Sequence, residues 1–164
     1  MRAFTLIELI IVIAIISILA ALIVSGGRYV MSEADRKTTQ TIQAITMQAI
    51  QVWFDNITPC QYPPGNGDAA SPQELFDYLT GNADLNGDGS IDSADAQTSC
   101  VLAAREFLLK LPQAAFQRGD DCIRDGFGEP IRYSQFGGIG GRPVLISNGP
   151  DKEFGNEDNI RSDR

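Results

Sequence analysis

The sequence predicts an α+β protein in which a long N-terminal helix packs on a small C-terminal antiparallel β-sheet. Three observations support this prediction. Residues 4–24 form a largely apolar run with one charge, residues 38–53 repeat apolar side chains every three or four positions, and two short apolar runs near the C-terminus flank a glycine-rich segment. The first two patterns are typical of helices, and the third is typical of a β-hairpin.

The N-terminal apolar run is long enough to cross a membrane. It extends from Phe4 to Val24, and a helix needs about 20 apolar residues to span a bilayer. A carboxylate in such a segment costs about 2–3 kcal/mol at the low end of estimates, so Glu8 indicates a partner charge inside the membrane or inside a packed bundle. A secretory signal peptide is the alternative, but its apolar region is shorter and its positive region is richer than Arg2 alone.

Residues 3–10, AFTLIELI, resemble the prepilin peptidase site of type IV pilins and type II secretion pseudopilins. The resemblance implies cleavage between Ala3 and Phe4, N-methylation of Phe4 and a role for Glu8 in assembly. The family usually has glycine at the position of Ala3, and alanine keeps this position small. Residues 1–3 are then the leader peptide, and residues 4–27 are the transmembrane helix that enters the filament core.

An amphipathic pattern continues the helix beyond the apolar run, over residues 28–58. Its apolar face is predicted to contain Thr38, Thr41, Ile42, Ile45, Ala49, Val52 and Trp53. Spacings of three and four place these residues on one side of a helix, which needs a domain packed against it. The helix is expected to end by Thr58-Pro59. Residues 59–164 are expected to form the globular domain.

Two shorter helices are predicted in this domain. Residues 72–79 form the first, with Ser71 as its N-cap and Gly81 at its C-terminal end. Residues 96–111 form the second, and Pro112 limits it.

A β-hairpin is predicted near the C-terminus. Its strands are residues 131–134 and 143–147, and residues 136–141 connect them. Packing this hairpin on the apolar stripe of the long helix would bury the apolar faces of both.

Composition limits the classes of function. Residues 57–164 carry nine basic and 17 acidic residues, and therefore all of the net charge of −8. This acidic balance argues against nucleic acid as a partner, since no basic patch can neutralise phosphates. The chain has no histidine, the commonest general base, and no recognisable nucleophile–base set, so an enzyme is not expected.

Three cysteines, Cys60, Cys100 and Cys122, lie after the membrane segment. None forms a CxxC pair, so a zinc or redox site is not expected. Two interpretations stay open. In an oxidising compartment Cys100 would form a disulfide with Cys60 or Cys122. Alternatively, the three are small hydrophobic residues in the core.

Residues 84–95 have the spacing of a calcium-binding loop. The predicted ligands are Asp84, Asn86, Asp88, Ser90, Asp92 and Asp95. Ser90 would contribute its backbone carbonyl, and Gly89 occupies the position where the loop turns sharply. Aspartate in place of the usual final glutamate makes the loop similar to those of dockerin modules. The alternative is a solvated turn, since Asp, Asn and Gly are common in turns.

Further segments resemble the major pseudopilins of type II secretion systems. They are residues 34–37, 111–112 and 125–130, and Tyr133. In that family a strand leads into a Ser-x-Gly-x-Asp loop that closes on Asp-Asp/Asn-Ile and binds calcium. The resemblance implies a possible second calcium loop at Ser147, Asp151, Asp158 and Asn159, with the cation Lys152 beside it. Taken without the resemblance, this segment is a flexible acidic loop. Residues 81–105, which contain the first loop, are an insertion relative to the family.

The resemblance implies a structural subunit of a type II secretion pseudopilus or a type IV pilus-like filament. The chain would cross the inner membrane once, with a calcium-stabilised C-terminal domain in the periplasm or in an extracellular filament. Its partners would be copies of itself, other pilin-like subunits, prepilin peptidase and the inner-membrane assembly platform. Alternatives are a minor pilin, or a major type IV pilin of an extracellular filament, whose inserted loop binds a partner or surface. A membrane-anchored enzyme is a third hypothesis, which the absence of histidine disfavours.

Overall fold

The structure is a computed structural model that describes residues 6–85, 87–116 and 121–164, without the side chains of residues 24–29. Its contacts divide the chain into two compact units, Met1–Ala34 and Asp35–Arg164. Helix α1 spans Leu6–Asn56 and therefore contributes residues to both units. The predicted long N-terminal helix and the position of its C-terminal end are confirmed.

The second unit adds two short helices and a three-stranded sheet to α1. In chain order these are α2 (Ser71–Thr80), α3 (Ser99–Leu108), β1 (Arg132–Ser134), β2 (Val144–Ser147) and β3 (Ile160–Arg161). Single turns of 3-10 helix occur at Asp95–Gln97 and Gln113–Ala115. The strand order is β1-β2-β3 and both pairs are antiparallel, with Tyr133 opposite Leu145 and Ser147 opposite Ile160. The α+β layout, including the predicted hairpin, is confirmed.

The buried face of α1 is more polar than the sequence pattern predicts. It consists of Thr39, Ile42, Gln43, Thr46, Ala49, Ile50 and Trp53. Thr41, predicted on this face, is exposed, and Thr38, Ile45 and Val52 are half-buried at its edges. For Thr39 and Gln43 the difference arises because a polar side chain can be buried when it forms hydrogen bonds. Gln43 is an example, since its Nε2 donates to the carbonyl oxygen of Ile160 at 2.8 Å.

The prediction for the start of α2 is wrong, whereas the prediction for its end is confirmed. Ala70, not Ser71, is the N-cap residue. Ser71 is fully buried instead, and its Oγ accepts the N–H of Tyr133 at 3.0 Å, which joins α2 to β1. At the other end Gly81 has the left-handed conformation, with φ of 78°, and its N–H caps the last carbonyls.

All three cysteines lie in described segments of the chain, and none of them forms a disulfide there. The predicted disulfide of Cys100 is therefore absent from the structure. Cys100 is buried on the inner face of α3, with Val101 and Ala104, in the main hydrophobic cluster. It packs as a small hydrophobic residue, whereas Cys60 is exposed.

Candidate functional site

The N-terminal part of α1 is a helix that could cross a membrane. The segment Leu6–Ile23 has a mean hydropathy of 3.1, and none of it is buried. At 1.5 Å per residue its length approaches the thickness of the hydrocarbon core, which is about 30 Å. Its hydroxyl group at Ser17 is satisfied within the helix, because Oγ donates to the carbonyl oxygen of Ile13 at 2.7 Å. The segment thus has the length and composition of a membrane span.

The predicted assembly residue lies at the start of this helix. Glu8 is in the first turn of α1, where its negative charge complements the helix dipole. Ala3 and Phe4 lie outside the described residues. The structure therefore places Glu8 on the apolar segment, at the end that the leader precedes.

The carboxylates of the first acidic loop accept hydrogen bonds from the backbone N–H groups of the same loop. Both carboxylate oxygens of Asp84 accept hydrogen bonds, from the N–H of Gly87 at 2.7 Å and from that of Gly89 at 2.9 Å. These two glycines have φ values of 75° and 86°, a conformation that other residues rarely adopt. Asp88 and Asp92 each accept the N–H of the residue two positions later. The glycines thus permit the tight turn that the sequence predicts.

Asp95 joins the two ends of this loop through hydrogen bonds. It is fully buried, and its two carboxylate oxygens accept the N–H groups of Leu85 at 2.8 Å and Asp92 at 2.9 Å. One side chain therefore holds both ends of the loop. Such charge-assisted bonds compensate part of the cost of burying a carboxylate.

The carboxylates in the described part of the first loop do not converge on one point. Within the described segments, no group of three or more Asp, Glu, Cys or His side chains is placed to hold a metal ion. Asn86 lies outside the described residues. Asp84 is half-buried and Asp95 is buried, whereas Asp88, Ser90 and Asp92 are exposed. The loop has the oxygen donors that calcium prefers, but binding would require some of these side chains to turn inward.

Residues 81–105, which carry this loop, contribute to the core through α3. A Cβ atom on Gly81 would lie 2.5 Å from the Cα atom of Ala96, so the segments on either side of the loop are in close contact. Ser99 Oγ donates to the carbonyl oxygen of Asn56 at the end of α1 at 3.1 Å. The start of α3, which follows the first loop, is therefore joined to the C-terminal end of α1.

The second acidic loop begins with a buried hydrogen bond between two side chains. Ser147 Oγ donates to Asp125 Oδ2 at 2.6 Å and accepts the N–H of Gly149 at 3.1 Å. Asp125 is 1% exposed, and its Oδ1 accepts the N–H groups of Phe127 and Glu129. Burial raises the pKa of Asp125, while the hydrogen bonds from Ser147 and from these N–H groups act in the opposite direction.

The turn that contains Asp125 packs directly against the backbone of α1. A Cβ atom on Gly126 would lie 2.2 Å from the carbonyl oxygen of Asp35. The N–H of Gly126 donates to Thr39 Oγ1 at 2.9 Å, and this hydroxyl donates in turn to the carbonyl oxygen of Asp35 at 2.8 Å. Through Ser147 and Asp125, the second acidic loop is therefore connected to the helix backbone.

Asn159 holds the second loop together. Its Nδ2 donates to the carbonyl oxygens of Asn148 and Glu153, and its Oδ1 accepts the N–H of Gly155. Gly149 and Asp158 are in contact across the base of the loop, since a Cβ atom on Gly149 would lie 2.3 Å from the carbonyl oxygen of Asp158. The segment is thus a closed loop with internal hydrogen bonds rather than an extended acidic tail.

The carboxylates of this loop do not converge either. Asp151 accepts the N–H of Glu153 and the side-chain amide of Asn156, and Asp158 is exposed. Lys152 forms an ion pair with Glu129 at 2.9 Å, so the cation predicted beside the site has its own carboxylate partner.

Sequence patterns alone did not assign a role to Asp125, Gly126 or Thr39. The resemblance included residues 125–130 but gave no function for them. The available signal is the pair of glycines, Gly126 and Gly128, that flank Phe127 directly after a carboxylate. Closely spaced glycines indicate a tight turn or a close backbone approach, and the structure has both features here.

Comparison with known proteins identifies the N-terminal signal. Residues 1–24 match the family model of the prokaryotic N-terminal methylation motif. No curated protein and no solved structure matches the chain. The matched residues include Ala3, Phe4 and Glu8, and they coincide with the start of the exposed apolar helix. The motif, the single apolar N-terminal helix and the small antiparallel sheet together support a membrane-anchored, exported protein of the type IV pilin-like kind.

Proposed function

We propose that this protein is a structural subunit of a type II secretion pseudopilus or a closely related type IV pilus-like filament. One observation carries the proposal. The methylation motif coincides with an apolar helix that no other described part of the chain covers. Exposed apolar surface of this size needs lipid or other copies of the helix. The subunit therefore rests in the membrane before assembly, and its helix packs with those of other subunits afterwards.

The proposal assigns the second unit to the outside of the filament, on the periplasmic side of the inner membrane. Prepilin peptidase cleaves the leader, and copies of the chain, other pilin-like subunits and an inner-membrane assembly platform are its partners. The alternative is a minor pilin, or a major type IV pilin of an extracellular filament. The insertion at 81–105, which displays an exposed loop, favours this alternative as a site for a partner or surface. In either case the role is structural rather than enzymatic.

We further propose that calcium stabilises the second unit. The donors of the first loop are all oxygen atoms, and both glycines that allow its turn have the required conformation. An ionised carboxylate has about four acceptor positions, so Asp84 could bind a cation while it keeps its two N–H bonds. Bound calcium would supply the positive charge that links the two halves of the loop. Ser147, Asp151, Asp158 and Asn159 are the residues proposed for the second site.

The test of the filament proposal is the chemistry of the N-terminus. We expect membrane-extracted protein to begin at Phe4 and to carry one N-methyl group, because the motif places a small residue before Phe4 and Glu8 after it. Intact-mass and N-terminal peptide mass spectrometry measures both features. Deletion of the prepilin peptidase should leave Met1 in place. An unprocessed terminus in cells that contain the peptidase, or a new terminus near Gly27, would contradict the proposal.

The calcium proposal predicts a change in thermal stability. Calcium should raise the melting temperature of the detergent-solubilised chain, by an amount equivalent to about 2.7 kcal/mol at a concentration 100 times Kd. Magnesium should have a smaller effect because it requires a tighter octahedral shell. The double variant Asp84→Ala, Asp88→Ala should lose most of the calcium-dependent increment if the first loop dominates.

Two further variants make this measurement specific. Asp151→Ala should remove a separate part of the increment if the second loop also binds. Glu106→Ala, at an exposed acidic residue on α3, is the matched control and should keep the full increment. Calorimetry that detects no binding by the wild-type chain at millimolar calcium would reject both sites.

A further inference from the structure

Charge is unevenly distributed over the second unit. No lysine or arginine occurs between residues 38 and 104, although eight acidic residues do. The first loop contributes the most concentrated part of this charge. Its tip, residues 88–92, is exposed and carries Ile91 between Asp88 and Asp92, with Ile91 64% exposed. We call residues 88–92 the acidic tip.

A groove lined by apolar and basic residues lies between α1 and the β1–β2 hairpin. It has a volume of about 880 Å3, and Met47 and Ile139 supply its accessible apolar surface, whereas Ile50 and Pro143 also line it but are buried. Ile139 is 69% exposed, so this surface is accessible. Arg142 lies at its edge, and an adjoining depression that shares Met47 and Ser162 adds Arg161 and Arg164. We call the two together the arginine-rimmed groove.

The rim of this groove keeps a net positive charge. Asp163 also lines the groove, but both of its oxygens are engaged by Arg161, at 2.9 Å and 3.0 Å. This pairing raises the pKa of Arg161 and lowers the pKa of Asp163. The charges of Arg142 and Arg164 are not offset in this way. The groove therefore has an apolar floor and a cationic edge.

We propose that the arginine-rimmed groove binds the acidic tip of a second copy of this chain, with Ile91 on the apolar floor and Asp88 and Asp92 beside the arginines. The inference rests on the proposed filament function and names the surface that joins neighbouring subunits. Charge complementarity is the argument for this occupant, since the groove has arginines at its edge and the acidic tip has an exposed isoleucine between two exposed carboxylates. Calcium would offset two of the four carboxylate charges of the loop. A carboxylate that binds calcium through one oxygen keeps its second oxygen for an arginine, so Asp88 and Asp92 can take part in both contacts.

The symmetry of such a contact fits a filament. The groove and the acidic tip are different surfaces of the same molecule, so the contact is heterologous. Two subunits joined in this way keep one unoccupied groove and one unoccupied tip. Repeated contacts therefore generate an open helical assembly instead of a closed dimer. The contact would thus join the exported domains, while the apolar helices pack in the filament core.

Disulfide crosslinking tests the contact directly. Ile91→Cys and Ile139→Cys are introduced together into the full-length chain, with the exposed Cys60 changed to serine. After mild oxidation of cells that assemble the filament, the chain should form a ladder of covalent dimers, trimers and larger multimers. Each chain that carries only one of the two introduced cysteines should form no ladder. Pairing Ile91→Cys with Leu109→Cys, at an 83% exposed position outside the groove, is the matched control and should also form none.

Charge reversal tests the role of the arginine rim. Arg142→Glu in the chain with both introduced cysteines (the two-cysteine chain) should reduce the yield of crosslinked multimers at least about fivefold, because like charges would then meet. Adding Asp88→Arg and Asp92→Arg should restore the ladder, which a folding defect could not explain. Lys110→Glu makes the same charge change at an exposed residue outside the groove and should leave the ladder unchanged.

The outcomes separate this inference from the function on which it rests. If the wild-type chain forms filaments but the two-cysteine chain in those filaments forms no ladder, the groove contact is wrong and the filament function stands. An Arg142→Glu chain that crosslinks as well as its parent likewise overturns the contact. If the wild-type chain is neither cleaved at Phe4 nor assembled, the proposed function and this inference both fail.

Discussion

Replacing Gly126 with alanine is expected to lower the free energy of unfolding of the second unit by about 3 kcal/mol. The added Cβ atom would lie 2.2 Å from the carbonyl oxygen of Asp35 and 2.9 Å from its carbonyl carbon. Both atoms belong to the backbone of α1, which cannot move aside as a flexible side chain can. The turn would have to withdraw, and the hydrogen bond from its N–H to Thr39 would be lost.

Unfolding of the full-length chain in detergent measures this effect. Trp53 is the single tryptophan and is 1% exposed in the core, so its fluorescence reports on the second unit. Gly140→Ala is the control, because a Cβ atom there would meet nothing within 4 Å. It carries the conformational cost of alanine at a φ of 72°, about 1 kcal/mol. Equal losses from the two substitutions would show that the contact with Asp35 is unimportant.

The same substitution should also affect the second acidic loop. Asp125 precedes Gly126 and accepts a hydrogen bond from the hydroxyl group of Ser147, the residue from which the loop begins. A displaced turn would leave this buried carboxylate with fewer hydrogen bonds, which is costly in a low-dielectric interior. The turn at Gly126 is therefore the point at which the loop, the sheet and α1 depend on one another.

The sequence predicted the long elements of the fold more accurately than the short ones. The helix from the apolar run to Asn56 is confirmed, because many residues contribute to its periodic pattern. The hairpin of β1 and β2 is confirmed because two apolar runs flank a glycine-rich connection. Strand β3 has only two residues, Ile160 and Arg161, and no period can be recognised in so short a segment. Its pairing with β2 depends on the closed loop that precedes it.

Buried polar residues explain the other differences. Thr39, Gln43 and Ser71 lie in the core because each bonds to a backbone group of a distant segment, and such partners cannot be recognised from local spacing. The acidic loops illustrate the same limit. Spacing gives the order of oxygen donors along the loop at 84–95, but the directions of their side chains depend on the local N–H groups that they accept.

The N-terminal motif is different because it is a linear signal. A peptidase that recognises such a motif contacts a short stretch of chain, so the residues themselves carry the information. The structure adds that the helix following this stretch is apolar and exposed from Leu6 to Ile23. Neither observation depends on the packing of the second unit, which is why the sequence alone was sufficient here.

Replacing Glu8 with alanine should leave membrane insertion intact but reduce filament yield at least about tenfold. The substitution makes the apolar segment more hydrophobic, so insertion should not suffer. After cleavage the amine of Phe4 is a cation at neutral pH, and burying it in a bundle of apolar helices without a carboxylate is expensive. Glu8 is the one acidic residue between Phe4 and Val24, and the resemblance to pilins implies that it neutralises the amine of a neighbouring subunit.

The measurement is the ratio of assembled to membrane-resident protein, obtained by shearing or fractionating cells that express equal amounts of each variant. Ser17→Ala is the matched control, since it also removes a polar group from the apolar segment. Ser17 donates within its own helix, to the carbonyl oxygen of Ile13, so its loss should leave assembly unchanged. Normal yield from Glu8→Ala would show that charge pairing does not drive assembly. Equal defects in both variants would show that the segment is sensitive to any loss of polarity, and that Glu8 has no special role as a counter-charge.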